Sequence, residues 1–100
     1  MVKHLILWTL KEMPDDEKAA VKAEIKNGLE SLKGKIPGLV GIKVITEGRL
    51  PSSTADLMLD STFETAEALK GYSQHPEHVA VANSKVRPFT ASRSCLDFEI

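Results

Sequence analysis

Tyr72-Ser73-Gln74-His75-Pro76-Glu77-His78 places the chain's only tyrosine beside two of its three histidines. Imidazole changes charge near neutral pH, and a phenol donates a hydrogen bond to an oxygen on which charge develops. The segment therefore has the parts for general acid–base chemistry. His75 precedes Pro76, which pushes it out of helical geometry, so it reads first as the residue that starts a helix, as a cap. His78 then lies in the first turn of that helix.

Four more residues could join them. His4 shares one face of an apolar segment with Ile6 and Trp8, and a histidine there is either a satisfied core residue or a pocket residue. Cys95 and Asp97 share the parity of the last apolar stretch and so point to one side of it. Cys95 could be a nucleophile with a histidine as base, although a small buried hydrophobe is the commoner use of a lone cysteine. The two motif histidines, taken with Asp97 or His4, do not form a zinc spacing, and no second ligand pair exists. No metal and no organic cofactor are expected.

These residues need a scaffold. Residues 2–10 are dense in Val, Leu, Ile and Trp and read as a first strand. Pro14-Asp15-Asp16-Glu17 opens a helix, with acids where the helix dipole favours them. Val21, Ile25, Leu29 and Leu32 give it one apolar stripe, and Gly34 ends it. Residues 39–47 form a second strand, 48–54 a polar loop, and 55–62 a third strand. A short helix covers 63–71, another runs from Pro76 to about Lys85, and 93–99 is the last strand. The order β-α-β-β-α-α-β is that of an α+β, ferredoxin-like four-stranded antiparallel sheet with helices on one face. One domain spans residues 1–100.

Both parities of the first strand are apolar, so both sheet faces must be covered. The helices cover one. A second copy of the chain would cover the other, giving a homodimer in which two sheets face each other.

Composition narrows the function. An apolar fraction of 42% and a charged fraction of 27% are those of a globular domain. A net charge of −1 gives no field for a nucleic-acid or membrane partner. No apolar run approaches a bilayer span, the N-terminus lacks a signal-peptide pattern, and the single cysteine fits a reducing cytoplasm.

Val2-Lys3-His4-Leu5-Ile6-Leu7, Ile36-Pro37-Gly38, Tyr72-x-x-His75-Pro76-x-His78 and Cys95-Leu96-Asp97-Phe98-Glu99 together resemble the stress-responsive α/β-barrel (Dabb) family. The resemblance spans nearly the whole chain. It implies a homodimeric α+β barrel. The family includes plant stress proteins and a plant polyketide cyclase that performs an intramolecular aldol condensation. By that resemblance Tyr72 and His78 carry chemistry, Asp97 orients His78, and His4 lines the pocket. The chain also departs from the cyclase: Leu57 stands where a pocket histidine is found, and the first helix offers Ile25 and Leu29 in place of aromatic residues.

The expected catalytic set is Tyr72, His78 and Asp97. His78 would remove a proton alpha to a carbonyl, Asp97 would fix its tautomer, and Tyr72 would hydrogen-bond the developing oxyanion. His4, Ile6, Trp8, His75 and Cys95 are the ligand-binding candidates. The expected function is a small-molecule-binding barrel of cyclase or isomerase type. Alternatives are a non-enzymatic stress protein that acts as a stable homo-oligomer, in which the trio is a structural lock, and a cofactor-free monooxygenase of the same architecture.

Overall fold

A computed structural model describes residues 1–100. Strands β1 (Val2–Leu10), β2 (Leu39–Ile45), β3 (Leu57–Phe63) and β4 (Thr90–Glu99) alternate with helices α1 (Asp15–Glu30), α2 (Ala66–Gln74) and α3 (Pro76–Val81) in the order β1-α1-β2-β3-α2-α3-β4. A π-helical turn, Ala82–Val86, prolongs α3. All strand pairs are antiparallel, in the order β2-β3-β1-β4, so the sheet is the ferredoxin-like one expected.

Strand periodicity places the core. Val2, His4, Ile6, Trp8 and Leu10 are buried against the helices. Leu57, Leu59, Ser61 and Phe63 continue that layer on β3, and Val44 on β2. Val21, Ile25 and Leu29, four residues apart, close it from α1. Gly28 lets α1 and α3 approach closely, since a Cβ there would sit 3.0 Å from Val81 Cγ1.

Several boundaries move from the expected ones for local reasons. β3 begins at Leu57 rather than residue 55, because Arg49 holds the preceding loop through Ala55 O (2.7 Å) and Ser53 O (2.9 Å). Phe63, expected to start a helix, is the fully buried last residue of β3. Thr65 Oγ1 instead caps α2 by accepting from Ala68 N (3.0 Å), and the helix runs on to Gln74. Tyr72 therefore sits in the last turn of α2. The turn at Gly38 has φ 80°, and a Cβ there would lie 2.5 Å from Ala68 Cβ, so only glycine fits between this turn and α2.

Edge strand β2 is closed by side chains from α1. Glu30 Oε2 accepts from Val44 N (2.9 Å), and Lys26 Nζ donates to Val44 O (2.9 Å). The same two side chains pair with each other at 2.8 Å. The outward N–H and C=O of Val44 are thus occupied and cannot template another strand. Burial raises the Glu30 pKa, but Lys26 and the Val44 amide outweigh it and hold the carboxyl below its ordinary value.

The sheet's other face carries no helix. Leu7, Leu96 and Phe98 are exposed on it, with Ile100 just beyond β4. No helix is long and apolar enough to cross a membrane.

Candidate functional site

His75 ends α2 and starts α3 with extended backbone (φ −68°, ψ 133°), and its Nδ1 accepts from Glu77 N at 3.1 Å. This is the capping role expected before a proline. It does not line the cavity described below. The break it makes turns α3 back over the end of α2, and the Tyr72 and His78 ring centroids stand 4.2 Å apart.

Register decides the partner of Asp97. His4 on β1 lies directly opposite Asp97 on β4, and paired residues of an antiparallel ladder share a face. His4 Nδ1 meets Asp97 Oδ1 at 2.5 Å. An ionised carboxylate only accepts, so Nδ1 carries the proton and Nε2 of that ring is the atom left for chemistry. The sequence expectation that Asp97 orients His78 is corrected here: the acid is spent on the histidine of its own sheet. His78 comes from the helical layer, and its Nδ1 is buried without a partner.

Cys95 lies opposite Ile6, with Sγ 3.5 Å from Asp97 Oδ1. Burial and the Asp97 charge both push its thiol pKa up, which opposes the nucleophile reading. His4, Cys95 and Asp97 bring three metal-ligating atoms within 4.8 Å. A metal there would have to displace the proton that now joins His4 to Asp97, so the two uses exclude each other.

A cavity of about 420 Å³ lies between the sheet and the helices. His4, Tyr72 and His78 line it, as do Ile6 and Trp8, and Leu29 and Val86 add to its apolar wall. Asp97 and Cys95 do not reach it; Asp97 acts on it through His4. A second hollow of about 410 Å³ under the 46–56 loop contains none of the candidate residues.

Tyr72 Oη, like His78 Nδ1, is buried with no hydrogen-bond partner. Burial pushes the Tyr72 pKa well above its ordinary value, so the phenol stays protonated. Burial also lowers the His78 pKa. The nearby Ser73 backbone opposes this, while the positive charges of Arg87 and Arg93 add to it. His78 is therefore neutral at pH 7.

Two lining residues, Arg87 and Arg93, were not singled out from the sequence. Arg93 shares the parity of Cys95 and Asp97, and that signal could have found it. Arg87 follows the π-helical turn, which has no sequence signature.

The family model described as Stress responsive A/B Barrel Domain matches residues 2–100. Among solved structures, a dimeric protein of unknown function with a ferredoxin-like fold from Bacteroides fragilis is 34% identical, with a TM-score of 0.90 over 99% of this chain and 95% of that one. The Arabidopsis thaliana protein At3g17210 is 24% identical, with a TM-score of 0.81 over 100% of this chain and 95% of that one. A hydroxynitrile lyase from Passiflora edulis shares the fold at 16% identity and a TM-score of 0.72, over 99% of this chain and 92% of that one. No curated protein matches the chain.

Proposed function

The chain belongs to the stress-responsive α/β-barrel (Dabb) family, and on that premise we propose that it binds a small carbonyl compound and moves protons on it without a cofactor, as a cyclase or isomerase does. One observation carries this reading. Two buried polar atoms, Tyr72 Oη and His78 Nδ1, have no partner, and their side chains line one cavity beside an oriented imidazole. An unpaired buried polar group costs about 1–3 kcal/mol, and a ligand that supplied the missing partners would recover that cost.

The geometry supports the following roles. His4, held by Asp97, takes the proton alpha to the carbonyl on Nε2, and the C–H bonding pair moves into an enolate. The protonated Tyr72 phenol donates to the enolate oxygen. Neutral His78, its ring tilted against that of Tyr72, is the second hydrogen-bonding group of the cavity. The same proton returned to a different carbon gives isomerisation, and attack of the enolate on a second carbonyl gives ring closure.

The reading includes a homodimer, closed over the uncovered sheet face. Its support is the exposed apolar side chains there and the dimeric state described for the similar Bacteroides fragilis protein.

Proton exchange in D2O tests the chemistry. Incubation with a set of β-keto esters, with and without a free carboxylate at the far end of the chain, followed by NMR, should show deuteration at the carbon between the carbonyls faster than in protein-free buffer. Tyr72→Phe and His4→Ala should each lose it, and Cys95→Ser should keep it. Absence of exchange from every compound, in a protein that melts cooperatively, would leave the non-enzymatic oligomer as the better account.

A further inference from the structure

The chain has three arginines. Arg49 lies 3.9 Å from Asp56 and serves the loop before β3. The other two, Arg87 and Arg93, take part in none of the molecule's ion pairs, and both line the cavity. They arrive from different elements: Arg87 from the end of the π-helical turn, Arg93 from β4 opposite Trp8. Arg87 Nη1 donates to Asn83 Oδ1, one bond from a group with five N–H donors. No aspartate or glutamate lines the cavity. The nearest acid in the site, Asp97, is taken by His4 and Cys95.

A guanidinium stays charged at any pH the fold meets, and its planar fork matches a carboxylate through two parallel bonds. Two such groups without a counter-charge leave the cavity electropositive. Both arginines are exposed while lining it, which puts them at its mouth. Deeper in, the wall is apolar: Ile6, Trp8, Leu29, Leu59, Ala82 and Val86. The volume of about 420 Å³ falls within the usual range for small-molecule sites.

We propose that the ligand of this cavity is a carboxylate with an apolar body, its head group held at the mouth by Arg87 and Arg93 and its body packed against Trp8 and Leu29. This rests on the reading of the cavity as the ligand site, and it adds the charge that the substrate must carry. A substrate seated this way would expose its carboxylate end to the arginines while its middle passes His4 and Tyr72.

Trp8 is the only tryptophan and lines the cavity, so its fluorescence reports occupancy without a label. Three probes of matched chain length are titrated into the intact protein: hexanoate, hexanamide and hexyl phosphate. Hexanoate should bind about tenfold more tightly than hexanamide, the ratio expected for charge-assisted hydrogen bonds. Arg87→Gln and Arg93→Gln should each remove most of that advantage, and removal of a remote surface charge, Lys33→Gln, should leave it intact.

Equal affinity for hexanoate and hexanamide overturns the proposal, as does a tenfold preference for hexyl phosphate. Failure of all three probes to bind in the millimolar range overturns it as well. Thermal melts of each variant confirm that the fold is retained; both side chains are exposed and their loss should not unfold it. The result is separable from the proton-exchange test. A carboxylate preference without deuteration keeps the anion site and removes the chemistry, and deuteration without the preference does the reverse.

Discussion

At the residue scale, the site holds a tension between stability and use. Tyr72 is fully buried, yet its hydroxyl meets no partner. Tyr72→Phe removes an unsatisfied polar group and keeps the ring packing on His78 and Phe63. It should raise stability by about 1 kcal/mol in urea unfolding while abolishing proton exchange. If the tyrosine were a structural lock, the same change would destabilise. His78 gives a pH signature. Its folded pKa lies below the ordinary value of 6.5, so below that value the unfolded chain binds a proton that the folded chain does not. Stability from this group is full above pH 6.5 and falls as the pH drops towards the folded pKa. His78→Gln should flatten the melting temperature as the pH falls below about 6.5. The residue types of the site were readable from the chain, as was the cap at His75. The pairing was not. Asp97 could have served either imidazole, and only the register that sets it opposite His4 decides between them.

At the element scale, apolar spacing was a good guide where an element packs on one face. Val21, Ile25 and Leu29 mark α1, and alternation marks β1. It failed where tertiary contacts set the boundary. The start of β4 at Thr90 depends on pairing with Leu10 across an irregular step, and Ala91 and Ser92 carry no pattern because that edge strand is exposed. The closure of β2 by Lys26 and Glu30 was equally hidden, since an i,i+4 pair on a helix reads as a solvated surface. Glu30→Ala strips Val44 N of its acceptor and Lys26 of its partner. It should cost about 1 kcal/mol, measured by denaturant unfolding, and speed hydrogen exchange at the Val44 amide.

At the scale of the whole molecule, the uncovered sheet face is where the proposed dimer would close. The two apolar parities of β1 announced a second layer; the structure assigns the even set to the core and the odd set, Leu5 and Leu7, to the outside. Leu96 and Phe98 extend that outer face onto β4. With this face as the dimer contact, Leu96→Lys combined with Phe98→Lys should yield a monomer in sedimentation, and the melting temperature should lose its dependence on protein concentration. A wild-type monomer at micromolar concentration would remove the dimer from the account.

The π-helical turn has a consequence of its own. Arg87 N reaches Ala82 O at 2.9 Å, closing a ring one residue wider than an α-helical one. One surplus residue is thereby stored in the wall of the hollow. Its excision would let the coil tighten to α-helical winding with the chain beyond it left in place, shortening that wall by one residue. The shape of the hollow is therefore set by the length of the chain as well as by its letters.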